Sequence, residues 1–261
     1  HMLNRIMKIL LSNDDGYDAP GLEALYETLK DSADLFVVAP ETNHSGAGCS
    51  ITVNQPMKAK FHNNGFVSVT GKPADCVYLG IHELAPWTPD LVISGINLGA
   101  NMGEDLLYSG TVGAALEGRW LTYPSIAVSA AAFHQPGSES FMDPNYDTAA
   151  KVILDLIENY DLSIIDSSIV LNVNTPNKVF SADLDYEITS IGKWGKRNPP
   201  HVEKEKDDQI TYWTSHRENC PPNESNSDIS ALKNNTISIS PIYPKFSYET
   251  EPNINFNLQK K

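Results

Sequence analysis

The sequence predicts an α/β protein built on a doubly wound, mostly parallel sheet. Three observations carry that expectation. An apolar run, Ile9-Leu10-Leu11, halts at the polar turn Ser12-Asn13-Asp14-Asp15-Gly16, as a strand buried on both faces does. A helical pattern and a second apolar strand follow within roughly 30 residues, the mark of a βαβ unit with a right-handed crossover. Strand and helix patterns then alternate as far as Pro176, as they do in sheets covered by helices on both faces.

In chain order, Pro20-Gly21 opens a helix with Leu22, Leu25, Tyr26 and Leu29 on one face, ending near Lys30-Asp31. Asp34 to Ala39 is the second buried strand, closed by Pro40, and Glu41 to Ser50 is a loop of small and polar residues. Lys58-Ala59-Lys60-Phe61 and Phe66-Val67-Ser68-Val69 flank His62-Asn63-Asn64-Gly65, a β-hairpin expected at the sheet edge. Pro73 starts a helix bearing Val77, Leu79, Ile81 and Cys76, the last a small core residue. Leu91 to Ser94 is a buried strand, and the Gly- and Asn-rich run from Gly95 to Gly103 reads as the loop after it. Ser109-Gly110-Thr111 leads into a small-faced helix from Val112 to Leu121, followed by a strand from Ser125 to Ser129. Asp147 to Tyr160 is an amphipathic helix striped by Val152, Ile153, Leu156 and Ile157. Ile169 to Val173 is a further strand, ended by Asn174-Thr175-Pro176.

From Asn177 the texture shifts. Lys193 to Gln209 is crowded with charge, Ile210 to Ser215 is strand-like, Glu218 to Ser227 is polar, and Ile237-Ser238-Ile239-Ser240 alternates as a late strand. This stretch holds too little apolar surface for a core of its own. The expected division is a catalytic core over 1–177 and a β-rich extension over 178–261 that packs on the core or reaches another subunit.

Composition narrows the function. No apolar stretch approaches the roughly 20 residues of a membrane helix. No signal-peptide pattern is seen, and His1-Met2 reads as an added remnant. Cys49, Cys76 and Cys220 are widely spaced and form no C-x-x-C, which points to a cytoplasmic chain without disulfides or zinc. A net charge of −14 disfavours a nucleic acid polymer as partner, because phosphate backbones are gripped by basic surface. A small phosphorylated ligand stays compatible if a metal supplies positive charge.

Three loops fall at the carboxyl ends of parallel strands, where open α/β sheets bind ligands: Asp14-Asp15, His44-Ser45, and Asn97 with Asn101. Two carboxylates, a hydroxyl and an amide oxygen make a hard donor set suited to Mg²⁺ or Mn²⁺. Ser109-Gly110-Thr111 at a helix start offers free amides, hydroxyls and the positive end of a dipole to a phosphate. Plainer explanations stand beside these: a polar turn, a pair of helix caps, a solvated loop histidine. His62, His82, His134, His201 and His216 belong to no constellation. Gly46-Ala47-Gly48 lacks the third glycine of a dinucleotide loop, which disfavours a nicotinamide-dependent oxidoreductase. Residue types alone therefore point to a metal-assisted enzyme acting on a phosphorylated small molecule. A nucleotide-sensing binding protein without turnover is the alternative, and the intact Asp pair argues against it.

More specific runs are present. Ser12-Asn13-Asp14-Asp15-Gly16, Val38-Ala39-Pro40, Pro73-Ala74-Asp75-Cys76-Val77, Ser94-Gly95-Ile96-Asn97, Asn101-Met102-Gly103 and Tyr108-Ser109-Gly110-Thr111-Val112 together resemble the SurE family of stationary-phase survival proteins. Asn172-Val173-Asn174-Thr175-Pro176 and Ser238-Ile239-Ser240-Pro241 extend the resemblance almost end to end. It implies a Rossmann-like core, with the C-terminal extension exchanged between protomers of a homodimer or homotetramer. The implied activity is a metal-dependent phosphomonoesterase on nucleoside 5′- and 3′-monophosphates, and in some members on short polyphosphate. One divalent ion per subunit is implied, Mg²⁺ or Mn²⁺ with Co²⁺ a further candidate, held by Asp14, Asp15, Ser45 and Asn97. Phosphate binding falls on Asn101, Ser109, Gly110 and Thr111, with Asp14, Asp15, Asn101 and Ser109 as the catalytic set. His44, also assigned to the substrate site, stands where the family usually has Arg, and Lys72 replaces a common Thr. An imidazole with a pKa of about 6.5 is not a permanent cation, so a pH dependence of substrate binding is expected there.

Overall fold

The computed structural model describes residues 6–132, 143–181, 183–203, 209–214 and 225–244. His134, His216 and Cys220 lie outside them.

The chain begins with β1 (Lys8–Ser12), α1 (Pro20–Leu29) and β2 (Asp34–Pro40). The hairpin β3 (Ala59–Phe61) and β4 (Val67–Val69) precedes α2 (Pro73–Leu79), which runs into a π turn over Gly80–Leu84. Next come β5 (Leu91–Leu98), a 3₁₀ turn (Gly103–Tyr108), α3 (Gly110–Glu117), β6 (Ser125–Ala130), α4 (Tyr146–Asn159) and β7 (Val170–Thr175). The described residues close with β8 (Tyr186–Ile188), β9 (His201–Glu203), β10 (Thr211–Trp213), α5 (Asp228–Lys233) and β11 (Ile237–Ile242).

One nine-stranded sheet has the order β3-β4-β2-β1-β5-β6-β7-β11-β8. The six strands from β4 to β7 in that order are parallel, with β3 antiparallel at one edge as the hairpin pattern predicts. The chain winds outward from β1 through β2 and then returns to lay β5 on the other side of β1. That reversal opens a crevice at the carboxyl ends of β1 and β5, the general ligand position of such sheets.

Alternation within β1 explains its unbroken apolar run. Ile9 and Leu11 pack with Leu22, Leu25, Ile153 and Leu156 of α1 and α4, while Leu10 packs with Val77, Val92 and Ala114 beneath α2 and α3. Both faces are covered, so no polar residue fits until the strand ends. Fully burying each of these side chains contributes about 1.5–3 kcal/mol. Pro20 at the start of α1 uses a position where its missing N–H costs nothing. In α4, Asn145 Oδ1 caps Thr148 N at 3.0 Å.

One expectation is corrected. Gly95 to Leu98 is not loop: β5 continues to Leu98, because a register shift after Ser94 restores pairing of Asn97 with Ser129 and Leu98 with Ala130. Beyond residue 177 the sheet gains two more strands. β11 lies antiparallel beside β7, and β8 pairs with β11, so Ile237 and Ile239 join the main core. Among the described residues, β9 and β10 form a separate two-stranded ribbon. Among the described residues no helix is long and apolar enough to cross a membrane.

Candidate active site

The site begins where β1 ends. Asn13 closes the turn with both ends of its amide, Nδ2 donating to Gly16 O at 2.8 Å and Oδ1 accepting from Gly16 N at 3.2 Å. Gly16 adopts φ +118°, open to glycine without strain. The turn separates the two carboxylates. Asp14 is 3% exposed, whereas Asp15 is half-buried and faces the crevice.

Asp14 meets the first turn of α3. Thr111 Oγ1 donates to Asp14 Oδ1 at 2.6 Å, and a Cβ on Gly110 would lie 2.7 Å from Asp14 Cβ, so only glycine permits this approach. Burial pushes the Asp14 pKa up to about 6, against the Thr111 hydrogen bond and with the Asp15 charge adding to the rise. Thr111, expected as a phosphate ligand, is thus turned inward, fully buried on a carboxylate. Ser109 is the N-cap of α3, its Oγ accepting from Val112 N at 3.1 Å.

Asp15 draws in the other loops. Its Oδ1 lies 3.3 Å from Ser45 Oγ and accepts from Asn43 Nδ2 at 3.3 Å, while Oδ2 accepts from Leu98 N at 3.2 Å. Asn43 also fixes Ser45 by accepting from its N–H at 2.7 Å, and His44 N donates to Asp14 O at 2.7 Å. Asn97 directs Nδ2 at Gly99 O, 2.8 Å away, which leaves Oδ1 as the end offered to a ligand.

This donor set fits a hard divalent cation. Adjacent ligands of an octahedral ion at 2.0–2.1 Å sit about 3 Å apart, close to the 3.3 Å between Ser45 Oγ and Asp15 Oδ1. Among the described residues no three or more His, Cys, Asp or Glu side chains gather as a metal site. A cation here would therefore rest on two carboxylates and neutral oxygens, which suits Mg²⁺ or Mn²⁺ better than zinc.

Asn101 lies on the far side of the cluster. Its Nδ2 points to Ser129 Oγ at 2.9 Å and Thr111 Oγ1 at 3.5 Å. Thr111 gives its own hydrogen to Asp14, so it meets the Asn101 amide as an acceptor. Motif reasoning passes over Asn43 and Ser129, and it gives no role to Asn172 and Asn174, which enter only as part of a family run. For the last two a signal exists: they stand two apart in an otherwise apolar strand, on one face.

A family model described as "Survival protein SurE" matches residues 9–198. The chain belongs to the SurE family. A protein named 5′-nucleotidase SurE from Nitrosomonas eutropha is 42% identical over 236 residues, 90% of this chain and 92% of that protein. One named 5′/3′-nucleotidase SurE from Wigglesworthia glossinidia brevipalpis is 36% identical over 250 residues, 95% of each. The crystal structure of the SurE protein from Aquifex aeolicus superposes with a TM-score of 0.75 at 37% identity, covering 92% of this chain and 95% of that one.

The SurE match takes in every side chain of the cluster, from Asp14 to Asn174. His44 and Lys72, the two departures from the SurE runs, touch one another, with Lys72 Nζ 3.5 Å from His44 Nδ1. An ammonium only donates, so the imidazole proton belongs on Nε2. Burial lowers the His44 pKa and the Lys72 charge lowers it further, against Asp75. In this SurE chain burial and the Lys72 side chain thus both favour the neutral imidazole of His44.

Proposed function

We propose that this chain is a metal-dependent phosphomonoesterase that hydrolyses nucleoside 5′- and 3′-monophosphates to nucleoside and phosphate, with short polyphosphate as a further substrate. The observation that carries the reading is the gathering of loops at the crevice between β1 and β5, where Asp15 meets Ser45 and the Leu98 N–H while Asp14 meets Thr111 at the start of α3. Relatives at about 40% identity that are named 5′-nucleotidases support it.

Asp14, Asp15, Ser45 and Asn97 would hold the cation. The chemistry a hard divalent ion supplies when bound is neutralisation of phosphoryl charge and acidification of a water. The chain's own groups do the rest. Ser109 keeps its hydroxyl hydrogen for a phosphoryl oxygen, because its Oγ serves α3 only as an acceptor. The Gly110 N–H, in the first turn of α3, is one of the donors a helix leaves without an intrahelical partner. Together with the Asn101 amide and His44 Nε2–H, these donors stabilise charge that grows on the phosphoryl oxygens in the transition state.

We assign the protein to the cytoplasm, a placement supported by the free thiols of Cys49 and Cys76. We also assign it a homo-oligomeric state in which the C-terminal extension reaches a partner. The β9–β10 ribbon supports this: Val202, Tyr212 and Trp213 are 51%, 57% and 62% exposed, and a two-stranded ribbon alone in water is marginal.

Phosphate release from a panel of 5′- and 3′-nucleotides and polyphosphate, with Mg²⁺, Mn²⁺, Co²⁺ or EDTA, tests the activity. Metal-dependent release from nucleotides is the expected result. Saturable AMP binding with no release under any metal replaces the enzyme with a nucleotide-sensing protein.

A further inference from the structure

We propose that Asn172 and Asn174 are positioning residues of the catalytic site, acting from β7 on the Asn101 main chain to aim its side chain at the substrate phosphoryl group. The inference rests on the phosphatase reading above and extends it to a strand that supplies none of the groups assigned there.

The main chain of Asn101 is gripped at both polar atoms. Asn101 N donates to Asn174 Oδ1 at 2.9 Å, and Asn101 O accepts from Asn174 Nδ2 and Asn172 Nδ2, each at 2.9 Å. Its side chain then reaches Ser129 Oγ and Thr111 Oγ1, and Thr111 in turn holds Asp14. One continuous set of hydrogen bonds thus runs from β7 through Asn101 to the buried carboxylate of β1.

Folding alone gives no reason for these asparagines. Both are fully buried on a strand flanked on each side, β6 and β11. Val170, on the same face, packs conventionally with Val112, Ala115 and Ala127. Two and four residues later an aliphatic side chain would suit that layer equally well. Asn172 moreover leaves its Oδ1 buried without a partner, a cost that native proteins rarely carry without a functional reason. Among the described residues its Nδ2 donates to the Asn101 carbonyl.

The gain is geometric. Asn101 lies between β5 and the 3₁₀ turn, outside any regular element, where its main chain has no ladder to hold it. A reacting-group donor must be placed to well under 1 Å, since a displacement of that size costs about 10²-fold in rate. A clamp on the two peptide groups that flank the Asn101 Cα supplies that placement without occupying the crevice.

The test is a double-mutant cycle in the full-length protein, with AMP and saturating Mn²⁺. Asn174→Ala should lower kcat by about 10- to 100-fold, with KM and Mn²⁺ affinity within about twofold of wild type. In an Asn101→Ala background, where the aimed side chain is gone, Asn174→Ala should cause no further loss. Simple loosening of the core would instead multiply the two losses, and that result overturns the proposal, as does wild-type kcat in Asn174→Ala. Asn172→Ala, which removes one bond of the three, carries the same cycle if Asn174→Ala does not fold. Turnover by wild type with multiplicative losses removes this inference alone. No turnover by wild type under any metal removes the phosphatase reading and this inference with it.

Discussion

Thr111 Oγ1 donates to Asp14 Oδ1 across 2.6 Å, joining the first turn of α3 to the end of β1 through a contact between residues 97 apart in sequence. The hydroxyl offsets part of the cost of an almost fully buried carboxylate that has Asp15 beside it. We predict that Asp14→Asn and Asp15→Asn each lose about 10²- to 10⁴-fold in turnover while remaining folded. The metal-free stability of Asp14→Asn should exceed that of wild type. The native Asp14 pKa is raised from 3.8 to about 6, so its favourable contribution is complete below pH 4 and is lost as pH rises through 6. The advantage of the Asn variant should therefore grow across that window and persist at pH 7, as a melting temperature higher by about 2–4 °C per kcal/mol. Thermal melts in EDTA at pH 4 and pH 7 check it.

Gly110 makes the same contact sterically demanding. We predict that Gly110→Ala loses about 1–3 kcal/mol of stability through overpacking and at least tenfold in kcat, because the added methyl must displace Asp14 or α3. Urea midpoints and initial rates on the same preparation read both effects. Gly46, whose Cβ would meet nothing within 4 Å although its φ is +78°, is the contrasting site: Gly46→Ala strains only a loop.

The ribbon gives a prediction about assembly. Tyr212→Asp with Trp213→Asp places charge on two of its most exposed aromatic residues and should convert a sedimenting oligomer into monomers at micromolar concentration. A wild-type protein that sediments as a monomer under the same conditions removes the proposed exchange.

At the opposite edge of the sheet, Tyr186 OH donates to Asp155 Oδ2 at 2.6 Å. Burial, reinforced by that bond, holds the phenol pKa well above its usual value near 10. The protonated phenol contributes stability that is complete below pH 10 and is lost as pH climbs further, because the unfolded chain then ionises first. Alkaline melts should thus be level from pH 7 to 9 and fall above pH 10, and Tyr186→Phe should make that fall shallower.

How far the sequence alone could be read depends on whether its signals were local. Ile9 to Leu11 ending at an Asp pair, Pro20 opening a helix and the Leu22, Leu25, Leu29 spacing each state their structure within a few residues, and each holds. Asn97 misleads because a strand that resumes after a register shift looks, residue by residue, like the Gly- and Asn-rich loop it passes through. Ile237 to Ser240 is plainly a strand, but its partner is set by distant packing, so its place beside β7 cannot be seen locally. Ser109 and Thr111 are identifiable as hydroxyls at a helix start, yet which hydroxyl turns inward depends on Asp14, far away in the chain.

The antiparallel strand on the outer side of β7 bears on when the protein becomes competent during synthesis. A nascent chain can build the parallel sheet from β1 to β7 as it leaves the ribosome, but β7 then remains an open edge, wetted on the side that β11 later covers. The backbone edge of β7 stays open to water until Ile237 to Ile242 pair with it. A chain that lacks its last strand therefore leaves an open edge on the very strand whose Asn172 and Asn174 hold the Asn101 main chain.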